Sequence, residues 1–251
     1  MKVLATYNIK GGVGKTAAAV NLSFLAARAG ARTLVWDLDP QGAATFYFRI
    51  KARIKGGGKQ LIRGKGDLDG QIKGTDFTNL DLLPADFSYR HMDIVLDDAK
   101  KPTGRLRKLL KPMAKQYDYL VLDCPPSISL VSEAVFRAAD VLLVPIIPTT
   151  LSLRTLEQLL TFRADNGLAG VSVLPFFSMV DRRKKLHRTI LETLPAEVPE
   201  LLTTAIPYAS DVERMGLQRE PLGLYAPRSK AAKAYEALWA EIEEKLVIGN
   251  Q

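Results

Sequence analysis

Residues 10–16 read Lys-Gly-Gly-Val-Gly-Lys-Thr, and their surroundings decide the fold. An apolar strand, Val3–Tyr7, leads into them. A helix pattern rich in Ala and Leu, Thr16–Ala29, leaves them and stops at Gly30. Strand, glycine-rich loop and helix in that order form the context of a phosphate-binding loop. Glycines let the backbone turn so that several N–H groups converge on phosphate oxygens. The helix adds its unpaired first amides and the positive end of its dipole. Gly11, Gly12, Val13 and Gly14, with Lys15, Thr16 and Ala17 of the first helical turn, are therefore the expected nucleotide contacts. Lys15 is placed to reach the β- and γ-phosphates, and the Thr16 hydroxyl to ligate Mg²⁺.

The common form of this loop opens with a glycine, but here that position falls on Asn8 or Ile9. A second lysine, Lys10, stands at the entrance instead. Lys15 already serves the site, so Lys10 is either a solvated loop lysine or a group that reaches a nucleotide held by another subunit.

Outward from the loop the pattern repeats. Strands are expected at Thr33–Asp37, Leu80–Pro84, Tyr119–Asp123, Val141–Ile147, Gly170–Phe177 and Ala205–Pro207. Helices are expected at Pro102–Lys115 (basic and amphipathic), Ser132–Ala139, Ser152–Asn166, Lys185–Leu194 and Ser229–Lys245. In the last helix Ala231, Tyr235, Leu238, Ile242 and Leu246 recur at three- and four-residue steps, as a core-facing stripe does. Continuous apolar strands alternating with helices predict an α/β fold, a mostly parallel twisted sheet with helices on both faces. No internal repeat or second core is visible, so residues 1–251 read as a single P-loop domain. The irregular stretch is 49–74, with Gly56-Gly57-Gly58 and the basic residues Lys51, Arg53, Lys55, Lys59, Arg63 and Lys65. Its composition predicts a mobile basic loop or hairpin.

Acids at two strand ends carry the expected chemistry. Asp123 ends a buried strand, where parallel sheets bind ligands in the crevice beyond the strand ends. Asp37 and Asp39 end another, two apart, so they share a side while Leu38 points away. Asp37 is either a further acid behind the metal or a plain strand terminator.

On these residues the chain resembles the ParA/MinD family of deviant Walker ATPases, and within it the small ParA type. The resemblance covers nearly the whole chain. Its carriers are Lys10–Thr16, the run Asp37-Leu38-Asp39-Pro40-Gln41-Gly42, and Leu120–Asp123 followed by Cys124-Pro125-Pro126-Ser127. Val144-Pro145, Met179-Val180-Asp181, Ile206-Pro207 and Tyr225-Ala226-Pro227-Arg228-Ser229 also match. The resemblance implies an ATP-sandwich homodimer in which Lys10 crosses to the partner's phosphates, as an arginine finger does. It implies Asp39 as the switch acid that positions the attacking water, with Gln41 and Gly42 in the same switch. Asp123 becomes the acid that holds Mg²⁺ through a water, and Met179, Asp181 and Pro207 lie near adenine. The catalytic set is then Lys10, Lys15 and Asp39, the metal set Thr16, Asp39 and Asp123, and the cofactors ATP and Mg²⁺. The lone cysteine, Cys124, excludes the related nitrogenase-type iron protein, whose bridging cluster takes two cysteines per subunit.

Composition then sorts the possible roles. With 47% apolar residues a large core is available. No secretory h-region or membrane-length apolar run is present, and one cysteine forms no internal disulfide. These features predict a cytoplasmic protein. The net charge of +8 suits a polyanion partner. Arg182, Arg183, Lys184, Lys185 and Arg188 cluster after one strand, Arg214 and Arg219 follow the last, and Lys230 and Lys233 begin the final helix. ParA-like proteins carry DNA-contacting basics in the matching regions, which implies non-specific double-stranded DNA as a partner and nucleoid association in the ATP state. A cargo-bound protein that stimulates hydrolysis is the other implied partner. The alternatives are a MinD-like membrane ATPase and a small-molecule synthetase on the same fold. The first calls for a basic amphipathic helix, whereas the last helix carries Glu236, Glu241, Glu243 and Glu244. The second calls for a substrate pocket with polar groups of its own, and none is evident.

Overall fold

A computed structural model describes residues 1–64, 67–98 and 102–248. Among the described residues eight strands form one sheet: β1 (Lys2–Thr6), β2 (Thr33–Asp37), β3 (Lys73–Gly74), β4 (Leu80–Leu83), β5 (Tyr119–Asp123), β6 (Val141–Ile146), β7 (Ser172–Val180) and β8 (Ala205–Pro207). Their order is β3-β4-β2-β5-β1-β6-β7-β8, and each of these pairings is parallel except β3 with β4. β5 returns between β2 and β1 before the chain moves outward through β6, β7 and β8. Register then lines up the acids. Thr6 and Asp37 both stand opposite Asp123, so three adjacent strands end at one level.

The α-helices of the described residues cover the sheet: α1 (Lys15–Arg28), α2 (Ala43–Tyr47), α3 (Gly57–Ile62), α4 (Met92–Asp97), α5 (Arg105–Leu110), α6 (Leu130–Ala138), α7 (Thr150–Asp165), α8 (Lys185–Glu197), α9 (Ser210–Glu213), α10 (Met215–Gln218), α11 (Leu222–Tyr225) and α12 (Lys230–Ile248). Successive strand side chains alternate between faces. Leu34 and Trp36 of β2 and Leu120 and Leu122 of β5 join one core, with Leu110, Val135 and Ile190 from α5, α6 and α8. Val35 and Val121 join the other, against Val20 and Leu22 of α1 and Leu238 and Ile242 of α12. Each core shields one face, which is why these strands lack the polar alternation of a half-exposed sheet. The expected stripe of α12 is buried from Ala231 to Leu246.

Two expectations need correction. The expected helix 102–115 is broken: α5 ends at Leu110 and a 3₁₀ turn, Lys111–Lys115, follows. Pro112 lies in that turn, and its ring and missing N–H oppose a continuing α-helix. The segment 49–74, expected from its composition as a mobile basic loop or hairpin, holds α3, a 3₁₀ turn at Asp69–Gln71 and β3, which pairs antiparallel with β4. Ile54, Leu61 and Ile62 are each at most 3% exposed and enter the core. Backbone amides of Ile54, Lys55 and Gly58 are bound by Asp86, Gln71 and Ser88. Three apolar side chains therefore enter the core while the described cations of the segment are exposed. Lys65 of that segment lies outside the described residues.

Candidate functional site

The phosphate loop leaves β1 through Asn8, whose side chain ties it down. Asn8 Nδ2 donates to the Pro145 carbonyl at 2.8 Å, and Asn8 Oδ1 accepts the Lys10 amide at 2.9 Å. Gly12 and Gly14 take φ of 70° and 98°, the left-handed region that favours glycine. At Gly14 a Cβ would also lie 2.8 Å from the Ser178 hydroxyl. The next residue, Lys15, is buried at 6% exposure, and its ammonium donates to the Lys10 carbonyl at 2.8 Å. Burial lowers the Lys15 pKa, an effect opposed by the nearby Asp123 and Asp39 carboxylates.

Behind the loop the acids are arranged by their neighbours. Asp123 is fully buried. Thr6 Oγ1 donates to its Oδ1 at 3.3 Å, whereas its Oδ2 has no hydrogen-bond partner among the described residues. Burial raises its pKa, reinforced by Asp37 and opposed by the Thr16 hydroxyl and Lys15. Asp37, also fully buried, accepts the amide and hydroxyl of Thr45 at 2.8 and 2.7 Å, and the Asp39 amide at 3.2 Å. Its pKa is raised by burial as well, despite those bonds. Asp37 thus anchors the 39–45 turn. Asp39 stands forward of it and half-exposed, with its Oδ1 accepting the Gln41 amide at 2.9 Å.

A buried carboxylate oxygen without a partner beside a threonine hydroxyl suits a hard divalent cation. Among the described residues no cluster of three or more acidic, histidine or cysteine side chains is placed to hold a metal alone. That is compatible with magnesium, which is bound through one or two carboxylates plus substrate phosphates. Thr16, Asp123 and Asp39 fit such a set.

Thr16 and Asp39 open into a cavity of about 310 Å³, behind which Asp123 lies buried. Gly11, Gly12, Gly14, Lys15, Thr16 and Asp39 line one part of it, and Met179, Pro207, Tyr208 and Glu213 another. Met179 and Pro207 reach it from the ends of β7 and β8. Ala17 also lines the cavity, while Val13 packs behind it at 2% exposure. Asp181 does not line it. Its carboxylate is bound bidentately by Arg183 at 2.8 and 2.9 Å, because the guanidinium two residues on curls back to it. Lys10 does not line the cavity either, and its side chain is half-exposed. Sequence reasoning missed Thr6, Thr45, Ser178, Tyr47, Tyr208 and Tyr235. Pairing the two strands in register would flag Thr6, which stands directly opposite the expected acid. Nothing local marks the others.

The AAA domain family matches residues 1–165. The sporulation initiation inhibitor protein Soj of Bacillus subtilis is 32% identical, over 96% of this chain and 98% of that protein. The chromosome partitioning protein ParA of Myxococcus xanthus is 29% identical, over 97% of this chain and 88% of its own length. The chain belongs to the ParA family of partitioning ATPases. Among solved structures, an ATP complex of a Cyanothece McdA variant superposes at a TM-score of 0.83 with 23% identity, covering 97% of this chain and 96% of that one. A Mycobacterium smegmatis protein described as cobyrinic acid a,c-diamide synthase superposes at 0.82 with 24% identity, covering 99% and 96%. At those identities the two structures speak for the fold.

The expected DNA-facing basics of this ParA-family chain divide by environment. Arg182, Lys184, Lys185, Arg188, Arg214 and Lys230 are exposed. Arg188 also donates to the Arg182 and Arg183 carbonyls and fixes that turn. Arg183 is exposed but neutralised by Asp181. Arg219 is half-buried: it donates to the Phe46 carbonyl at 2.9 Å and stacks 4.4 Å over the Phe46 ring. It fastens α10 to α2, and so serves packing.

Proposed function

We propose that this chain is a ParA-type positioning ATPase. Its ATP-bound form is a homodimer that binds double-stranded DNA without sequence preference, and hydrolysis stimulated by a cargo-bound partner releases it. The observation that carries the reading is the division of labour between the two loop lysines. Lys15 is buried in its own cavity, while Lys10, five residues earlier, keeps its backbone in the loop and its side chain outside that cavity. A cation so placed serves a triphosphate on a facing subunit.

The loop amides and Lys15 bind the phosphates of ATP. Thr16 and Asp123, with Asp39, would hold Mg²⁺, which when bound neutralises charge on the β- and γ-phosphate oxygens. Asp39, forward of the anchored Asp37, orients the attacking water. Lys10 of the facing subunit stabilises charge on the transferred group. Met179, Pro207 and Tyr208 enclose the base. Arg182, Lys184, Lys185, Arg188, Arg214 and Lys230 contact DNA phosphates, which requires no reading of base edges. Two copies present two such sets, so affinity for DNA follows dimerisation. The working location is the cytoplasm, on the nucleoid in the ATP state. No described helix is long and apolar enough to cross a membrane.

The test is light scattering on the hydrolysis-deficient Asp39→Ala protein. With Mg²⁺ and ATP it runs as a dimer and shifts DNA; with ADP it does neither. A monomer under both nucleotides, or equal DNA affinity in both, sinks the reading.

A further inference from the structure

The face where α3 meets α4 belongs neither to the nucleotide cavity nor to the basics assigned to DNA. Phe87 and Ile94 are 62% and 65% exposed there. Between them Arg90 holds its guanidinium 4.1 Å over the Phe87 ring. The three are spaced by three and four residues along the 3₁₀ turn Phe87–His91 and α4, so they fall on one strip. Exposed aromatic and aliphatic side chains around an arginine are the makeup of a protein-binding surface. The basic segment runs alongside, because Ser88 Oγ accepts the Gly58 amide at 2.8 Å. In that segment Ile54 enters the core and Ala52 lies against Gly42, while Lys51, Arg53 and Lys55 between and beside them are exposed. Neither Lys51 nor Lys55 is in an ion pair among the described residues. The same face is wired to the switch. Asp86 takes the Ile54 amide at 2.8 Å, and the neighbouring Ala85 gives its amide to Thr45 Oγ1 at 2.9 Å. Thr45 in turn donates to Asp37, which holds the Asp39 amide. A Cβ on Gly42 would stand 3.4 Å from the Cβ atoms of both Ala52 and Ala85, so the switch turn also packs directly on this face.

We propose that this face docks an acidic segment of a partner protein, its carboxylates on Lys51, Arg53 and Lys55 and an apolar side chain against Phe87 and Ile94, and that docking is felt at Asp39. Acids of this chain bound the patch: Asp76 pairs with Arg49 and Asp98 with Arg63, and exposed Asp67 and Asp69 shortly precede Gln71, which binds the Lys55 amide. Duplex DNA, with one negative charge per about 1.7 Å of its axis, would be pressed against those acids. A short acidic segment meets only the cations, and the Phe87–Arg90–Ile94 strip gives it an apolar hold that phosphates cannot use. The docking stands on this surface alone; its effect on turnover rests on the ATPase reading above.

The experiment measures, by fluorescence anisotropy on the full chain, binding of a labelled peptide in which a run of glutamates precedes leucine and phenylalanine. A peptide with lysines in place of the glutamates and a random-sequence DNA duplex are run beside it, and ATP turnover is followed with each. The variants are Phe87→Ala and the double charge reversal Lys51→Glu with Arg53→Glu; all three side chains are exposed, and thermal melting checks the fold. The glutamate peptide should bind the wild type and the lysine peptide should not. Each variant should weaken the glutamate peptide about tenfold or more. Bound peptide should change the turnover of the wild type and leave that of the charge-reversed variant as it was. No binding of the glutamate peptide beside normal ATP turnover overturns the docking alone. So does a charge reversal that weakens DNA as much as peptide, which gives the face to DNA, or a Phe87→Ala protein that no longer dimerises with ATP, which gives it to a second copy of this chain. Peptide bound without any change in turnover overturns the link to Asp39. Wild-type protein that binds the peptide but hydrolyses no ATP overturns the ATPase reading and leaves the docking in place.

Discussion

The Lys15 ammonium donates to the backbone carbonyl of Lys10 at 2.8 Å. The contact closes the phosphate loop on itself, and with the Asn8 bond to the Lys10 amide it engages both backbone groups of Lys10. What is left of Lys10 is a half-exposed side chain outside the cavity. One lysine is thus committed inward and the other outward by the same short loop.

The two lysines should therefore fail differently. Lys15→Ala removes the buried cation and weakens magnesium-ATP at least about 100-fold, the size of one or two charge-assisted bonds at about 1.5–3 kcal/mol each. Lys10→Ala keeps ATP affinity within about threefold, since a side chain outside the cavity contributes little to binding by the monomer. It loses the ATP-dependent dimer or its turnover. Titration calorimetry with sedimentation velocity separates the two, and a Lys10→Ala protein that dimerises and hydrolyses normally refutes the assignment.

Gly14 makes a sharper demand on the loop. Its φ of 98° is costly for any L side chain, and an added Cβ would stand 2.8 Å from Ser178 Oγ. Gly14→Ala should cost about 1–3 kcal/mol of stability, from backbone strain plus the clash. The clash is with a hydroxyl, and the Ser178 Cβ is 4.0 Å away. Adding Ser178→Ala should therefore recover part of the loss and leave the cost of the φ angle. Urea denaturation of the single and double variants reads both. Full recovery, or none, contradicts the split into two causes.

The phosphate loop and the acids are legible in the sequence because each is a local pattern with one physical use. Glycines, a lysine and a threonine at a strand–helix junction admit few other readings, and Asp37 and Asp123 end strands of almost wholly apolar side chains. Asp181 is misread because sequence gives no warning that Arg183 folds back onto it. Arg219 looks like a surface cation until Phe46, from a helix far earlier in the chain, is found beneath it. The lysines of segment 49–74 suggest a loop, while Ile54, Leu61 and Ile62 decide where it packs. Tyr47 and Tyr235 carry no local signal, since only tertiary packing brings α2 and α12 to one cavity.

Glu241 of α12 ties that helix to the turn before β8, accepting the Thr203 and Thr204 amides at 2.6 and 3.0 Å. Burial alone would raise its carboxyl, but those bonds outweigh it and hold the pKa below the ordinary 4.5. A depressed folded pKa means stability that is fully present above 4.5 and is lost as pH falls through the folded value. Glu241→Gln should cost about 1 kcal/mol at neutral pH, near the low end for bonds to a charged group because the site is partly exposed and screened. The wild type and variant should converge in stability only as the pH falls below the depressed folded value of Glu241. A gap that persists undiminished there would place the effect in packing instead of charge. Thermal melts at neutral and acid pH decide it.

Arg214 and Arg219 lie on either side of α10 and should respond to different assays. Arg214 is exposed, so its charge is available to a DNA phosphate. Arg219 gives its guanidinium to the Phe46 carbonyl and ring, and its half-buried position aims it at α2. Arg214→Ala should weaken ATP-dependent DNA binding and flatten the log-log salt dependence by about 0.9 for each phosphate that is no longer neutralised. Its melting temperature should hardly move, since an exposed arginine adds little stability. Arg219→Ala should leave the salt slope unchanged and cost about 1–2 kcal/mol in stability, from one hydrogen bond and one cation–π contact. Filter binding across a salt series, paired with urea denaturation, gives each variant two coordinates. A salt slope that falls with Arg219→Ala would mean that the guanidinium leaves Phe46 for DNA in the dimer, and α10 would then be a moving part of the DNA surface instead of a fixed support.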